Sequence, residues 1–564
     1  MRYKVILDWI EAVAVIGIII MVGYPAGFYT VHGLDPTGWP DIEKLKLADP
    51  DLNWITPKQW WQHLRSGDLL FVVNVYVKML VGEIDALAYG GRQWATVMCL
   101  TCIPWLMLFF KTEEKEPTRD PSNLHGRARW ANAGELAALT RGIEIGRDDT
   151  TGQPVRIQVE SNLVSIAPPR TGKTAGLVLP NLVEADLGSY RGPVIVIDPK
   201  GDAYRSTKKR REALGYRVLC FDPVGLINEE GDRWDPLAHH SGDDVLSMQS
   251  IAASLPPQSK QISDAGLYYA QLSTNHIAAA FTVAFRNGQP NAGYVAALCR
   301  NAERLKTELS GRTDALAESV LNVLNGNDDK VISNVTNTVG QAFAWSLDSK
   351  IQKSVSNPTF DIEDILNGKT DIFIIIPADD RKKIIAPLVR WMFAEMFATV
   401  RRNRLEKRIL VIVDEANSLG AFDALVQALG ELPGYGLSFW TIWQSWHQMV
   451  QTYGSEGAAI FLQTAEVTTI SNLTATTPED AERWSKAIGK FTLIEETQST
   501  DNATNKSTTN RRSVGKNLVP ASDLPDLTAE YLIAFATSKR ATAYPMKLTK
   551  NHAPSDPRFC DLID

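Results

Sequence analysis

Residues 163–174 read LVSIAPPRTGKT, a short apolar stretch followed by a loop that ends in Gly-Lys-Thr. The residues that follow, up to Pro180, are compatible with a helix. A strand, a loop and a helix in this order are what a P-loop requires, because backbone N–H groups and a helix N-terminus then face phosphate oxygens. Ala167 stands where the strict G-x-x-x-x-G-K-[ST] pattern has its first glycine, which weakens the match because alanine tolerates positive φ less well.

The loop residues have separate expected roles in binding a nucleotide. Gly172 lets the backbone approach a phosphate, Lys173 places its ammonium group on the β- and γ-phosphates, and the Thr174 hydroxyl ligates Mg²⁺. The predicted ligands are therefore ATP and Mg²⁺. The predicted contacts to the nucleotide are Arg170, Thr171, Gly172, Lys173, Thr174 and Ala175.

A second apolar run, residues 409–413, ends in Asp414 and Glu415. Acidic side chains at the carboxyl end of a buried parallel strand lie where α/β sheets place their chemistry. We expect Asp414 to hold Mg²⁺, directly or through water, and Glu415 to act as general base on the attacking water. A buried strand that ends in a helix N-cap is the alternative interpretation. Together with the Lys173 loop, the acidic pair predicts a nucleotide hydrolase.

Further apolar runs extend the predicted sheet. Residues 194–197 lead into an Asp-Pro-Lys-Gly-Asp segment, residues 372–376 form another run, and residues 439–443 end in Gln444. Gln444 is predicted to sense the γ-phosphate, with helix capping as the alternative. Strands that alternate with helical patterns predict a mostly parallel, doubly wound α/β sheet.

Arg390 and Arg381 lie in the helical stretch after residues 372–376. Where an ATP site lies at a subunit boundary, a neighbour can donate an arginine to the γ-phosphate. We prefer Arg390 for this catalytic role in trans. A surface or helix-capping role is the alternative for either arginine.

Two uncharged runs predict a membrane anchor. Residues 12–31 are long enough to span a membrane, and the basic residues before them favour a cytoplasmic start. A cleavable signal peptide is the alternative for this run. With residues 94–110 as a second span, residues 32–93 lie outside the cytoplasm. Residues 69–81 contain an Asn and a Lys, so we favour an interfacial helix over a third span or part of a long second helix.

The composition excludes some classes of protein. The chain has 564 residues and a net charge of −7, which argues against coating nucleic acid with the whole surface but permits a basic pore or stripe. Five cysteines do not form a disulfide scaffold. Basic clusters at residues 208–211 and 401–404 are either phosphate contacts or solvated helix faces. The Thr-, Asn- and Ser-rich residues 498–510 predict a mobile loop.

Several segments together match one known family. They are His125 to Ala131, Ala167-Pro168, Asp198 to Asp202, Asp414 to Gly420, Gln444 with Gln448, and Arg512 to Leu524. They resemble the type IV secretion coupling proteins (TraG-like conjugation ATPases), over roughly residues 120–550. That family's loop commonly begins with Ala-Pro, so the missing glycine no longer counts against the site. Ala416 and Asp202 stand where members often have Phe and Glu, respectively. These departures put in doubt how hydrolysis is coupled to movement, not hydrolysis itself.

The resemblance implies a RecA/FtsK-like P-loop NTPase motor domain with an inserted all-α domain and an N-terminal transmembrane anchor, usually a homo-hexamer around a channel. In that family the insert faces the incoming cargo, which the resemblance implies for this chain. The implied divisions are a first transmembrane helix at 1–31, a periplasmic segment at 32–93, a second transmembrane helix at 94–110, the nucleotide-binding domain at 111–239 and 351–564, and the insert at 240–350.

The resemblance also implies a function: a multi-pass ATPase of the bacterial inner membrane, with its motor domain in the cytoplasm, that delivers DNA or protein to a type IV secretion channel. The implied partners are channel components, a relaxase–DNA complex or effector protein, DNA and the membrane. The alternatives are an FtsK-like DNA pump and a docking platform with little hydrolysis. FtsK-like pumps usually have four membrane spans and a DNA-reading tail, which are not evident in this sequence. The docking platform is disfavoured because the residues expected for hydrolysis are intact: Lys173, Thr174, Asp414 and Glu415.

Overall fold

The computed structural model describes residues 2–39, 56–81, 96, 98, 102 and 118–564, apart from 185, 228–229, 257–263, 327, 502–505 and 538–540. The chain divides into two compact units, Met1–Thr118 and Arg119–Asp564. The predicted second span, residues 94–110, lies almost entirely outside the described residues, as does much of the predicted periplasmic segment. Both stay predictions.

The first unit contains three described α-helices: α1 (Arg2–His32), α2 (Pro57–Arg65) and α3 (Leu69–Val81). In α1, residues Val13–His32 form the one described helix that is long and apolar enough to cross a membrane. The Trp60 indole N–H donates to the Met21 carbonyl at 2.9 Å and its ring stacks on Tyr24. Helix α3 packs on these aromatic residues through buried Met79, and its interfacial location stays a prediction.

The second unit is built on one large mixed sheet. The described strands of the chain are β1 (Thr118–Arg119), β2 (Ile143–Asp148), β3 (Pro154–Ile157), β4 (Asn162–Ile166), β5 (Val194–Asp198), β6 (Arg217–Phe221), β7 (Thr370–Ile375), β8 (Ile409–Val413), β9 (Leu437–Trp443), β10 (Ala465–Ile470), β11 (Lys490–Asp501), β12 (Lys506–Asn517), β13 (Tyr531–Ala536) and β14 (Met546–Thr549). Eleven of these form the sheet, in the order β3-β2-β14-β13-β10-β4-β9-β8-β5-β7-β6.

The strands from β10 to β6 in this order are all parallel. Strands β4, β5 and β8 are buried along their whole length, because helices cover both faces of a parallel sheet. This confirms the predicted mostly parallel α/β sheet. The antiparallel extension through β13, β14, β2 and β3 was not predicted.

Helices surround the sheet in the second unit. They are α4 (Ala133–Ala137), α5 (Leu179–Val183), α6 (Asp202–Ala213), α7 (Val245–Ser254), α8 (Asp264–Arg286), α9 (Ala292–Cys299), α10 (Ala302–Leu309), α11 (Ala315–Leu324), α12 (Asp329–Ala342), α13 (Ser349–Ser354), α14 (Lys382–Arg402), α15 (Asp423–Glu431), α16 (Trp446–Thr464), α17 (Pro478–Ile488) and α18 (Leu524–Glu530). A π-helical turn, Thr174–Val178, directly precedes α5.

The segment between β6 and β7 carries helices α7 to α13 and, in its described part, no strand. Several of these helices begin at an Asp or Asn side chain that accepts a hydrogen bond from a first-turn N–H group, which stabilises the helix start. These capping residues are Asp244, Asn291, Asn301, Asp314 and Asp328. The Trp391 ring of α14 contacts Phe281 and Phe343, so these helices and the sheet share one hydrophobic core. The predicted insert boundaries at residues 240 and 350 stay predictions.

Strands β11 and β12 form a long antiparallel hairpin, paired from Lys490–Asn517 to Asp501–Lys506. The prediction of a mobile loop over residues 498–510 is therefore wrong for the described part of that segment. Composition suggested a loop, but threonine also favours extended backbone, and the two strands pair with each other along the hairpin.

The basic cluster at residues 208–211 does not form a continuous charged surface. Arg211 is buried in an ion pair with Asp371, and Lys209 pairs with Asp564 at 2.8 Å. In the second cluster, Arg401 pairs with Glu431 on the surface. Part of this charge is therefore already compensated within the chain.

Candidate nucleotide-binding and catalytic site

The loop after β4 has the backbone shape of a phosphate cradle. The Ala167 N–H donates to the Trp443 carbonyl at 2.9 Å, which continues the pairing of β4 with β9 beyond Ile166. Arg170 and Gly172 have φ values of 61° and 76°, in the left-handed region that favours glycine. Ala167 does not have positive φ. The first position of this loop therefore does not require glycine, and alanine can occupy it without backbone strain.

The helix after the loop begins at Lys173, whose backbone is already helical. The Gly176 N–H donates to the Gly172 carbonyl at 2.7 Å, and the next residues form the π-helical turn. Single π-helical turns are frequent at functional sites. The strand, loop and helix predicted around Lys173 are present.

Thr174 and Asp414 meet across the gap between the loop and the end of β8. The Thr174 hydroxyl donates to Asp414 Oδ2 at 2.6 Å. Asp414 Oδ1 is buried and makes no hydrogen bond. Burial raises the pKa of the Asp414 carboxyl group, and the Thr174 hydroxyl and the Lys173 ammonium lower it.

A hydroxyl beside an unpaired carboxylate oxygen fits Mg²⁺, which prefers oxygen ligands and is usually completed by water and substrate phosphates. Within the described part of the chain, no group of three or more His, Cys, Asp or Glu side chains is arranged to hold a metal ion. Thr174 and Asp414 supply two oxygen ligands, which fits an ion that is shared with a phosphate ligand.

Lys173 lies close to both predicted acids. Its ammonium group donates to the Ala167 carbonyl at 3.2 Å. Burial lowers its pKa, while the negative charges of Asp414 and Glu415 raise it. A partly desolvated ammonium group has few competing water contacts, so a phosphate oxygen is a strong partner for it.

Glu415 and Gln444 lie side by side at the ends of the neighbouring strands β8 and β9. Gln444 Nε2 donates to Glu415 Oε1 at 3.4 Å, and the Gln444 backbone N–H donates to Gln448 Oε1 at 3.0 Å. The structure thus brings together Lys173, Thr174, Asp414, Glu415 and Gln444 from three adjacent strand ends.

Lys200 belongs to the Asp-Pro-Lys-Gly-Asp segment, whose sequence alone predicts no role for it. The structure places the Lys200 charge near both Lys173 and Asp414, where it lowers the pKa of each. Asp198, at the end of β5, accepts hydrogen bonds from the Gly201 and Tyr204 N–H groups, and burial raises its pKa to about 6. Asp198 holds this turn in shape.

Arg390 does not fit its predicted role. Its side chain is buried, and its guanidinium donates to three carbonyl groups of its own chain. These belong to Ser254 at 3.1 Å, Leu255 at 2.9 Å and Leu419 at 3.2 Å. An arginine donated to a neighbour must be exposed, so we correct this assignment. Arg381 is exposed and pairs with Asp379 at 2.8 Å.

Arg390→Met should destabilise the fold, because it leaves three buried carbonyl groups unpaired. Each unpaired acceptor costs about 1–3 kcal/mol, so we expect a loss of roughly 3 kcal/mol in the free energy of unfolding by urea. Arg381→Met is the matched control and should leave the urea midpoint unchanged. An unchanged urea midpoint for Arg390→Met would contradict a stabilising role of Arg390 through these three carbonyl groups.

The C-terminal segment after β14 was not predicted to contribute, yet it packs on the helix that follows the loop. The Ala553 N–H donates to the Ala175 carbonyl at 2.9 Å. A cavity of about 200 Å³ opens between this segment and the loop, and its lining includes Gly172, Lys173 and His552. The segment carries no motif, so only its position beside the loop identifies it.

Comparisons with known proteins agree with this arrangement. A family model described as "Type IV secretory system Conjugative DNA transfer" matches residues 149–550. Protein VirD4 of Rhizobium radiobacter is 26% identical over 405 residues, which cover 65% of this chain and 55% of VirD4. The chain thus spans about half the length of this relative.

Two solved structures share the fold. The bacterial conjugative coupling protein TrwBdeltaN70, unbound, has a TM-score of 0.58 and 16% identity, over 80% of this chain and 99% of that chain. Plasmid coupling protein TrwB in complex with ADP and Mg²⁺ has a TM-score of 0.54 and 17% identity, over 80% and 99%. The likeness confirms the predicted α/β nucleotide-binding fold.

Proposed function

Because this chain belongs to the type IV secretory system conjugative DNA transfer family, we propose that it is an ATP-driven coupling protein that recruits a DNA or protein substrate and delivers it to a type IV secretion channel. The observation that carries the proposal is the 2.6 Å contact between the Thr174 hydroxyl and Asp414 beside Lys173. This contact joins a phosphate loop to an acidic strand end, which is the arrangement that nucleotide hydrolysis requires.

In the proposed reaction, residues Arg170 to Ala175 hold the phosphates of ATP. Lys173 moves its ammonium group from the Ala167 carbonyl to the β- and γ-phosphate oxygens and neutralises their charge. Thr174 and Asp414 would hold Mg²⁺, which supplies further positive charge to the transferring phosphoryl group when bound. The complex of TrwB with ADP and Mg²⁺ supports this choice of ligands.

Glu415 accepts the proton of the attacking water in the proposed reaction, and Gln444 orients that water or senses the γ-phosphate. The carboxylate stands at the end of β8, one residue beyond Asp414, and Gln444 contacts it from β9. Loss of the γ-phosphate would change what Gln444 contacts. Gln444 precedes α16, so this change can be passed to a helix.

The proposal extends to assembly and location. We propose a homo-hexamer in the bacterial inner membrane, with both chain ends in the cytoplasm and residues 32–93 outside it. The apolar helix Val13–His32 supports the anchor. The proposed partners are channel components, DNA, and a relaxase–DNA complex or effector protein. The match to the family of type IV secretory system conjugative DNA transfer supports a role in secretion.

The proposal predicts that DNA stimulates hydrolysis. We expect the ATPase rate of the full-length chain in detergent to rise when DNA is added and to fall back as salt increases, because DNA contacts release counterions. Thr174→Ala, which removes the predicted metal ligand, is the control without hydrolysis. Nucleotide binding without turnover would favour the docking platform. Stimulation by a protein substrate alone would restrict the cargo to protein.

A further inference from the structure

The phosphate loop has two sides, and the residues proposed for chemistry occupy one of them. Strand β4, which precedes the loop, lies between β9 and β10 in the sheet. Asp414, Glu415 and Gln444 all come from the β8 and β9 side. If the γ-phosphate faces these residues, the rest of the nucleotide must leave the loop on the β10 side.

The cavity of about 200 Å³ lies on that β10 side. Its lining includes Gly172 and Lys173 of the loop, Ser471 directly after β10, and Leu532 of β13. The cavity is thus continuous with the phosphate loop but separate from the acidic strand ends. This is the position that the ribose and base of a bound nucleotide need.

The walls of the cavity suit a neutral flat ring. Ile145, Leu177 and Leu532 are buried apolar residues that line it. Lys550 also lines it, but its ammonium group already donates to Asn472 Oδ1 and to the Thr528 and Ala529 carbonyls at 2.6–2.8 Å. Because the Lys550 ammonium group already makes these hydrogen bonds, it is not available to a second phosphate, which is therefore a poor ligand for the cavity. An apolar aromatic group is a good one.

His552 is the aromatic side chain in the lining. It is exposed at the cavity, and its Nδ1 atom is hydrogen bonded to the Ser555 hydroxyl at 2.8 Å, which orients the ring. An imidazole held in this way offers a face for stacking on a purine. Aromatic side chains stack on bases of any sequence because every base has a π face.

The backbone on either side of His552 is fixed to the loop helix. The Ala553 N–H donates to the Ala175 carbonyl, and the Asn551 carbonyl lies so close to Gly176 that a Cβ there would be 2.6 Å from its oxygen. Asn551 is also bound through its side chain to Glu144. His552 therefore keeps a constant position relative to the phosphates, which preorganises the subsite.

We propose that this cavity is the nucleoside subsite of the nucleotide site, and that the His552 ring stacks on the purine base. The proposal rests on the proposed nucleotide-binding function. It assigns to the C-terminal segment a direct part in holding ATP and ADP.

The test compares equilibrium binding of ATP and of inorganic tripolyphosphate, which lacks the ribose and base, to the full-length chain. His552→Ala should weaken ATP binding about tenfold, the order of magnitude of one lost base–aromatic stack, and leave tripolyphosphate binding unchanged. His552→Phe retains a stacking ring and should bind ATP nearly as the wild type does.

Three results would overturn the inference. The first is wild-type ATP affinity in His552→Ala. The second is an equal loss of ATP and tripolyphosphate binding in that variant, which indicates a structural role. The third is failure of His552→Phe to restore ATP binding. If the wild-type chain binds neither ligand, the proposed function itself fails. That outcome is distinct from the other three, because they all require a wild-type chain that binds.

Discussion

Glu415→Gln is expected to bind Mg·ATP like the wild type and to hydrolyse it at least ~100-fold more slowly, since loss of a general base typically costs ~10²–10⁴ in rate. The substitution keeps the size of the side chain and its contact with Gln444 but removes the basic carboxylate. Glu415 is proposed to act only on the attacking water, so the bound complex should persist. Steady-state hydrolysis and equilibrium nucleotide binding should be measured on the same preparation.

Lys173→Ala is the contrasting variant. Lys173 is proposed to contact the phosphates in the ground state as well as during transfer, so its loss should weaken binding and abolish turnover together. Glu431→Gln, at an exposed glutamate paired with Arg401, is the matched control and should retain both. Co-expressed Glu415→Gln should also block transfer by wild type, because inactive subunits enter the ring. Near-normal turnover by Glu415→Gln would show that the water is activated elsewhere.

Arg211→Ala is expected to lower the free energy of unfolding by about 3–5 kcal/mol, because it leaves a buried carboxylate without its partner. Arg211 of α6 makes two hydrogen bonds to Asp371 of β7, at 2.7 and 2.9 Å, and both side chains are almost fully buried. The guanidinium also donates to the Gly192 carbonyl at 3.0 Å. Urea denaturation measures the loss. Arg401→Ala, which breaks an exposed pair, should cost less than about 1 kcal/mol.

Two further measurements distinguish loss of the Arg211–Asp371 ion pair from general destabilisation of the fold: the pH dependence of the free energy of unfolding, and the stability of a double variant. Burial raises the pKa of Asp371 in the native protein, and Arg211 opposes that rise. Without Arg211 the native pKa should rise further above the unfolded value, so the native state binds a proton more readily. The Arg211→Ala protein should therefore regain stability as the pH falls from 7 toward the unfolded pKa of Asp. Arg211→Met with Asp371→Leu should recover most of the loss. A single variant as stable as Arg401→Ala would contradict the argument.

The sequence by itself determined the parts of the site that are local in the chain. The loop ending in Lys173 and Thr174 follows directly on an apolar run, and Asp414, Glu415 and Gln444 each stand at the end of another such run. Parallel strands bring their carboxyl ends to one edge of a sheet. The pattern was therefore enough to predict that these side chains meet.

Tertiary structure alone decided the features that depend on distant parts of the chain. Arg390 looked like a free helical arginine, but carbonyl groups of Ser254, Leu255 and Leu419 hold it in the core. His552 lies beside the phosphate loop because the chain returns to the loop long after β4, where the Ala553 N–H donates to the Ala175 carbonyl. Such contacts leave no periodic pattern, since burial and pairing depend on which elements pack together.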